Sequence, residues 1–437
     1  MNGTENSMRD TWQSPIAPGL SWYQDTIVER PAYAALDGST RTDVAIIGGG
    51  FTGLQAAYNL AKRGVDVLLI EGGRFGDGAS GRNGGQLGSG QRAWPDELEP
   101  ELGYERSRAL FDLAENAKRY LLDFAETHGI DMDFQPGQMN VSHKKGHEDA
   151  YRRSAELLAT RYDYPHVTFM DREETAARLG SSAYHYGVRD TGTGHIHPLK
   201  LLVGLARAAA QAGARICEMT RASSITQSGG KTLIETPAGR ITADRVLIAT
   251  NAYIGNLERE TAAHVMPIRS FIGATVPLDD FPHVIPGNEA VADSRFVVRY
   301  FRKSIDGRLL FGGREAYTAD SPRDISRHIR KQIAELYPEL KNIDMTHAWG
   351  GSVGITLTRK PFAREVMPGV TSVAGYSGHG VMLSNYAGKM YADLVAGNSS
   401  ELDLLTDLQV PPFPGGARFR GPLLFLALTW FALRDRF

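Results

Sequence analysis

The sequence predicts an α/β protein in which a domain with a parallel sheet is interrupted by an antiparallel-sheet α+β domain. Two observations favour this class. Residues 43–70 read as a strand, a helix and a second strand, which is one complete βαβ unit. Residues 265–315 alternate in the manner of antiparallel strands and are rich in Arg, Tyr and Phe. A chain of 437 residues has room for two interleaved domains or for two to three consecutive ones.

The βαβ unit can be delimited in order along the chain. Asp43–Ile47 is a short apolar run with β-branched residues, as a buried parallel strand requires. Thr52–Arg63 has apolar residues at helical spacing, and Gly64 ends this helix as a C′ glycine. Val65–Ile70 is the second strand. A glycine turn therefore joins the first strand to the helix.

The rest of the chain supplies further helices and strands. We expect helices over residues 104–128, 198–211, 325–337 and 383–395. We expect strands over residues 139–143, 214–218, 245–249, 296–302, 309–313 and 373–375. Pro237-Ala-Gly239 splits a hairpin of residues 231–236 and 240–242. The helix that begins at Pro198 and the strand after it continue the helix-then-strand order of the first unit.

Composition and charge exclude several classes of protein. The chain has 48 Lys and Arg against 50 Asp and Glu, so a net charge of −2 predicts no nucleic-acid partner and no acidic tail. Cys217 is the single cysteine, which excludes a disulfide framework and a cysteine metal cluster. It falls in a predicted strand, where a small buried hydrophobic residue is expected. We therefore expect a cytoplasmic protein in a reducing compartment.

The two ends of the sequence bear on targeting. Residues 1–18 are polar and lack the apolar core of a signal peptide. Residues 422–433 read PLLFLALTWFAL between flanking arginines, and twelve residues are too few to span a bilayer. We expect this segment to dock on the protein body. The alternative is an interfacial anchor at the inner face of the membrane, with Trp430 and Phe431 at headgroup depth.

Three glycines occupy the turn of the βαβ unit in the pattern Gly48-x-Gly50-x-x-Gly53. The first permits a tight turn, the second lets backbone approach a pyrophosphate, and the third lets the helix lie close to the strand. Glu71 follows the second strand, near the spacing expected for a carboxylate that binds ribose hydroxyls. Strand, turn, helix and carboxylate together predict a Rossmann-type dinucleotide site.

A glycine-rich stretch follows at residues 72–90, with nine glycines in 19 residues. A flexible linker would combine glycine with serine, whereas this stretch interleaves arginine and amide side chains. We interpret it as an ordered loop that wraps a ligand.

The motifs of this chain, taken together, resemble those of the D-amino-acid oxidase-like (glycine/sarcosine oxidase) superfamily of FAD-dependent amine oxidoreductases, and most of all its gamma-glutamylputrescine oxidase group. The resemblance spans about residues 21–420. The motifs that carry it are Asp43–Gly53, Ala79-Ser-Gly-Arg-Asn-Gly-Gly-Gln86, Gly194-His-Ile-His-Pro198, Ile248-Ala-Thr-Asn-Ala-Tyr253, Trp349-Gly-Gly351 and Gly375-Tyr-Ser-Gly-His-Gly380. It implies a Rossmann-type, GR2-like FAD domain with a parallel sheet and a β-meander.

The resemblance also implies which residues hold FAD. The ADP half would lie on Gly48, Gly50, Phe51, Thr52, Gly53 and Glu71, with Gly72 and Arg74 as neighbours. Ser80, Gly81, Arg82, Asn83, Gly84 and Gln86 would wrap the ribityl chain and the edge of the isoalloxazine ring. Thr250, Asn251, Gly350, Gly378, His379, Gly380, Val381 and Met382 would complete the site. Because Cys217 lies in a predicted core strand and the wrapping loop has no histidine, we expect FAD to be held non-covalently.

The implied reaction is oxidation of an amine by hydride transfer to flavin N5, followed by hydrolysis of the imine to an aldehyde. Candidate residues for the reaction centre are Tyr376, His379, Trp349, Tyr253 and Arg302, with Tyr300 and Tyr317 as further aromatic candidates. Any single aromatic other than Tyr376 is equally explained by core packing. A substrate carboxylate would need an arginine fork, for which Arg302 and, alternatively, Arg299 and Arg314 lie on the predicted antiparallel sheet. Each could instead be structural.

No metal site is expected, because His195 and His197 have no Asp, Glu or Cys nearby in the sequence. We assign the chain to three parts. The FAD domain takes residues 39–92, 147–258 and 345–400, and the substrate domain takes 93–146 and 259–344. Residues 401–437 form a C-terminal tail.

Three functions remain open from the sequence. The first is an oxidase of gamma-glutamylputrescine, or of a similar primary or secondary amine or amino acid, that reduces O2 to H2O2 in polyamine catabolism. The second is a membrane-associated dehydrogenase of an imino or N-substituted amino acid that passes electrons to a quinone. The third is a flavin-binding subunit without turnover.

Overall fold

The structure is a computed structural model that describes residues 21–316, 324–398 and 401–416, and only the backbone of residues 314–316. The apolar segment 422–433, Tyr317 and the side chain of Arg314 therefore lie outside the described residues. No helix within the described ranges is long and apolar enough to cross a bilayer.

Eleven α-helices occur in the part of the chain that the structure describes. Their bounds are α1 Trp22–Thr26, α2 Phe51–Ala61, α3 Pro95–Leu102, α4 Tyr104–Thr127, α5 Glu148–Arg161, α6 Arg172–Leu179, α7 Pro198–Gln211, α8 Arg259–His264, α9 Ile325–Leu336, α10 Gly380–Val395 and α11 Asp403–Thr406. The predicted helices correspond to α2, α4, α7, α9 and α10, each with similar bounds.

Seventeen strands are present in the same ranges. They are β1 Thr40–Ile47, β2 Val67–Ile70, β3 Gln86–Leu87, β4 Gln135–Ser142, β5 Val167–Met170, β6 Tyr186–His195, β7 Arg215–Cys217, β8 Ser224–Ser228, β9 Lys231–Thr236, β10 Gly239–Ile248, β11 Met266–Pro277, β12 Ala290–Asp293, β13 Tyr300–Lys303, β14 Arg308–Ala316, β15 Met345–Ile355, β16 Phe362–Met367 and β17 Val370–Ala374. The two predicted strands at 240–242 and 245–249 are one continuous strand, β10.

The first sheet has the order β16-β17-β10-β1-β2-β7. β17, β10, β1, β2 and β7 run parallel, as the βαβ unit predicts, and β16 is antiparallel at the edge. β8 and β9 form an antiparallel meander that continues from β10. The predicted parallel sheet with a β-meander is therefore confirmed.

The second sheet has nine strands in the order β15-β11-β14-β13-β12-β4-β6-β3, with β5 paired to β6. Its pairs are antiparallel except for β12 with β4. α9 packs on it because Ile325, Ile329 and Ile333 recur at helical spacing and are all buried. The predicted strand at 296–302 contributes only its last residues, since β13 begins at Tyr300.

The boundary between the two sheets differs from the segmentation of the sequence. β5, β6 and β15 belong to the second sheet, although the segments 147–258 and 345–400 were assigned to the domain with the parallel sheet. The reason is that β6 pairs with β4 over most of its length and β15 pairs with β11, pairings that no local pattern encodes.

α2, α7 and α10 share one hydrophobic core with the first sheet. Gly388 of α10 lies so close to α2 that a Cβ atom would stand 2.3 Å from the carbonyl oxygen of Thr52. This contact packs the first turn of α2 against the middle of α10.

Candidate functional site

The glycine turn after β1 has no room for side chains. Gly48 adopts a φ of 111°, and a Cβ atom there would lie 2.7 Å from the carbonyl oxygen of Ala249. A Cβ atom on Gly53 would lie 1.9 Å from the carbonyl oxygen of Gly48. Both glycines are therefore required by close packing of backbone, as the dinucleotide pattern predicts.

Two helix N-termini open into one cavity beside this turn. Gly50 is the N-cap of α2 and His379 is the N-cap of α10, and neither provides a side-chain cap. Exposed N–H groups and the helix dipole favour a negatively charged group at each of these ends. Together they fit an elongated anionic ligand such as the pyrophosphate and flavin of FAD.

Glu71 follows β2 and lies half-buried behind the glycine turn. Its carboxylate accepts hydrogen bonds from the backbone N–H groups of Gly49 (2.8 Å) and Gly73 (2.9 Å). Burial raises the pKa of this carboxyl, and the two N–H donors oppose that rise. Each oxygen still has a lone pair for a ribose hydroxyl.

Side-chain amides and a hydroxyl order the glycine-rich loop. The Ser80 hydroxyl accepts from the N–H of Phe51 at 3.1 Å, which ties the loop to the start of α2. Asn83 donates to the carbonyls of Ala79 and Ser80 and accepts from the N–H of Gly85. The loop is thus ordered by its own polar residues, as the interleaved composition predicts.

Arg82 fastens the loop to the second sheet. Its guanidinium is buried and donates to the carbonyl of Gly350 (2.9 Å) and to the Gln24 amide oxygen (3.0 Å). The indole of Trp349 donates to the carbonyl of Arg82 at 3.0 Å. The loop is therefore held from behind, and its other face is free to contact a ligand.

Tyr376 and His379 stand on the turn that precedes α10. The hydroxyl groups of Tyr376 and Thr52 share a hydrogen bond of 2.8 Å, which joins the two helix N-termini. His379 Nε2 donates to the carbonyl of Gly90 at 3.1 Å. Burial is the main cause that lowers the pKa of His379 to about 4, so the imidazole is neutral at pH 7.

The cavity measures about 370 Å³ and runs between the two sheets. Fourteen of the residues expected at the site line it: Gly50, Phe51, Thr52, Ser80, Arg82, Asn83, Gly84, Gln86, Asn251, Tyr376, Gly378, His379, Gly380 and Val381. Nine expected cofactor residues do not line the cavity: Gly48, Gly53, Glu71, Gly72, Arg74, Gly81, Thr250, Gly350 and Met382.

Three of the five residues expected at the reaction centre do not line the cavity. Trp349 and Tyr253 lie behind it, because the Trp349 indole bonds the Arg82 carbonyl and the Tyr253 hydroxyl accepts from the N–H of Ser352 (3.1 Å). Arg302 is buried and donates to the carbonyls of Gly84 and Ile196. The expected contact of Arg302 with a substrate carboxylate is therefore corrected: its guanidinium holds the glycine-rich loop.

The two motif histidines and the alternative arginine also have structural partners. His195 donates to the carbonyl of Asn288 at 2.8 Å. His197 caps α7 by accepting from the N–H of Lys200 at 3.1 Å. Arg299 pairs with Glu335.

Several cavity residues were not expected from the sequence. Arg92, Arg359 and Phe296 line the cavity, and the guanidinium of Arg359 lies 4.9 Å from the centre of the Phe296 ring. Gln138 and Asp190 line it from the second sheet. Arg359 has a φ of 58°, a backbone strain that marks a special position but leaves no signal in the sequence.

Comparison with known proteins agrees with this geometry. The family model described as "DAO: FAD dependent oxidoreductase" matches residues 43–394. The chain is 67% identical over 427 residues to a probable oxidoreductase OrdL of Rhizobium meliloti, which covers 98% of this chain and all of the relative. It is 32% identical over 419 residues to a gamma-glutamylputrescine oxidoreductase of Escherichia coli, which covers 95% and 98%.

Among solved structures, glycine oxidase from Geobacillus kaustophilus superposes with a TM-score of 0.68 at 24% identity. The match covers 82% of this chain and 96% of that one. It supports the same arrangement of a parallel sheet and a second, antiparallel-rich sheet.

Proposed function

The chain belongs to the DAO family of FAD-dependent oxidoreductases, and we propose that it oxidises gamma-glutamylputrescine or a similar amine. It is therefore an enzyme with FAD as its cofactor. The observation that carries the proposal is one cavity lined by the first residues of α2 and α10 and by polar residues of the second sheet. The relative from Escherichia coli, 32% identical over nearly its whole length, supports this substrate.

The geometry of the turn and the loop supports the residues that the resemblance implies for FAD. The start of α2 and Glu71 would take the pyrophosphate and the ribose. The loop from Ser80 to Gln86 and the start of α10 would take the ribityl chain and the ring. When bound, FAD supplies the two-electron oxidation of the carbon next to the amine nitrogen.

The protein's own task is to bind the amine without its proton. Tyr300, Ile272 and Val298 line the cavity, and such a surface excludes water and lowers the pKa of an amine. His379 adds no positive charge at pH 7, and its N–H is engaged with a carbonyl. Burial raises the pKa of Tyr376 far above neutral, so its hydroxyl stays protonated.

We propose O2 as the electron acceptor, with H2O2 as the product, and a place in polyamine catabolism in the cytoplasm. The single cysteine supports a reducing compartment. Hydrolysis of the imine formed from the amine yields the aldehyde.

The test is an amine panel presented to the FAD-loaded protein under nitrogen, with loss of flavin absorbance as the readout. We expect gamma-glutamylputrescine to bleach the flavin and air to restore it with one H2O2 per turnover. Bleaching without peroxide, together with reduction of a quinone, would replace the oxidase by a dehydrogenase. A flavin that stays oxidised with every amine would contradict the proposed function.

A further inference from the structure

The cavity continues past the cofactor loop along β6. Gln86 of the loop pairs with His195 at the end of this strand, and Asp190 lies five residues earlier. β4 spans the same stretch in three residues, from Gln135 to Gln138, so at ~3.3 Å per residue Asp190 lies roughly 10 Å along the sheet from Gln86. We call this part of the cavity, lined by Gln138, Asp190 and Gln91, the far arm.

Two amide oxygens in the far arm are buried without a hydrogen-bond donor. Gln138 is only 8% exposed, and its Oε1 atom has no partner among the described residues. The Gln91 amide donates to the carbonyl of Leu110 at 2.7 Å, while its Oε1 atom likewise has no partner in the described ranges. Buried polar atoms are rarely left unpaired, so both oxygens point to a ligand that donates.

Asp190 contributes a buried carboxylate to the same arm, at a position paired with Gln138. It is 3% exposed and accepts from the Ser89 hydroxyl (2.6 Å), the Tyr164 hydroxyl (2.9 Å) and the N–H of Gly192 (2.9 Å). All three donors are neutral.

The carboxylate of Asp190 forms no ion pair with any residue that the structure describes. The nearest lysine of its hydrogen-bond network, Lys118, pairs with Glu115 at 2.7 Å. A buried carboxylate without a cation is costly, and a bound cation would offset that cost.

The far arm thus combines one buried carboxylate with two amide oxygens that have no donor among the described residues. We propose that it binds an ammonium group at the end of the substrate remote from the oxidised amine. This proposal rests on the proposed function. It assigns the substrate class as a diamine joined by an amide to an amino acid, and the α-ammonium group of that amino acid occupies the far arm. Arg92 and Arg359, which line the same cavity, would then face the carboxylate of that amino acid.

The first experiment compares two amines that differ only in the α-ammonium group, gamma-glutamylputrescine and N-glutarylputrescine. A hydrogen-bonded charge is worth about 10–100-fold in affinity, so we expect kcat/KM to favour the first compound by that factor. The variant Asp190→Asn keeps the shape and the neutral partners of the side chain, and it should reduce the preference to within about threefold.

Glu289→Gln is the matched control. Glu289 is also 3% exposed and close to the same sheet, but it pairs with Arg189 at 2.9 Å and does not line the cavity. The preference should be unchanged in this variant. The flavin spectrum and the urea midpoint of each variant establish that it is folded.

A second readout needs no turnover. Gamma-glutamyl-butylamide and glutaryl-butylamide lack the terminal amine, and calorimetric titration measures their binding to the FAD-loaded protein. A wild-type preference of tenfold or more that Asp190→Asn abolishes supports the far arm, even if no amine is oxidised and the proposed function alone fails. Equal or absent binding of the two butylamides, or a preference that survives in Asp190→Asn, overturns it, even if gamma-glutamylputrescine is oxidised.

Discussion

Replacing Arg302 by methionine separates two roles that the sequence leaves open, a fork for a substrate carboxylate and a clamp on the cofactor loop. In the structure Arg302 is buried, and its Nε atom donates to the carbonyl of Gly84 at 2.7 Å. Its Nη2 atom donates to the carbonyl of Ile196 (2.8 Å) and to the Tyr23 hydroxyl (3.1 Å). Its Nη1 atom also donates to the carbonyl of Lys303 at 3.4 Å, so Arg302→Met removes four hydrogen bonds from a charged donor at once.

The size of the effect follows from these contacts. Hydrogen bonds to charged groups contribute about 1.5–3 kcal/mol each, but contributions within one network are not additive. Methionine fills most of the volume and leaves two carbonyls buried without a donor. We therefore expect the free energy of unfolding to fall by about 3–5 kcal/mol, a large part of a typical total.

The assay is urea unfolding of the FAD-loaded protein, followed by flavin fluorescence, together with KM for gamma-glutamylputrescine. Arg240→Met is the control, since Arg240 pairs with Glu235 and both side chains are exposed, a surface pair worth about 0–1 kcal/mol. An Arg302→Met protein with unchanged unfolding and FAD content but a tenfold higher KM would refute the clamp and restore the substrate fork.

Four further predictions test the cofactor site. Gly53→Ala should lose FAD, because the added Cβ atom would stand 1.9 Å from a backbone oxygen. The gain in helix propensity, at most about 1 kcal/mol, cannot offset that clash. The control Gly146→Ala has open space around the added atom and should keep full FAD absorbance. Tyr376→Phe should cost about 1 kcal/mol of stability in urea unfolding, because it removes the 2.8 Å bond between the two helix N-termini. His379 has a folded pKa of about 4, below its unfolded value, so its contribution to stability is complete above pH 6.5 and is lost as the pH falls toward 4; His379→Gln should flatten that part of a pH–stability curve. Acid precipitation should release all the flavin into the supernatant, because Cys217 lies in β7 and does not line the cavity.

The parts of the fold that the sequence predicts are those encoded over short distances along the chain. The turn of Gly48–Gly53 needs three glycines because two backbone segments touch there, and this requirement is visible as spacing. The spacing of apolar residues predicts the helices over 198–211 and 325–336, and Pro198 marks the first turn of the former. The parallel sheet follows from the order of these units.

The second sheet could not be derived in the same way. β4 pairs in parallel with β12, about 150 residues further on, and β15 pairs with β11 rather than with the first sheet. Pairing over such distances depends on how whole layers pack, which leaves no local pattern. For the same reason the segmentation at 147–258 places β5 and β6 with the wrong sheet.

The roles of the arginines show most clearly what a sequence alone does not predict. A guanidinium on a strand can bind a carboxylate, a surface acid or backbone carbonyls, and residue type does not separate these. The sequence places Arg302 on the predicted antiparallel sheet as a candidate for the substrate carboxylate, yet its N–H groups donate to the carbonyls of Gly84 and Ile196. Arg92 and Arg359, which do line the cavity, stand in loops without any motif.

The cofactor side and the substrate side of one cavity therefore differ in how far a sequence can describe them. FAD is the same molecule in every such site, so its backbone-lined cradle must be built from glycines and helix N-termini at fixed spacing. The far arm instead uses ordinary residues, Gln138 and Asp190, that meet only because β4 pairs with β6. What identifies them is the absence of a donor on Gln138 and of a cation on Asp190 within the described residues, and both are properties of the folded chain.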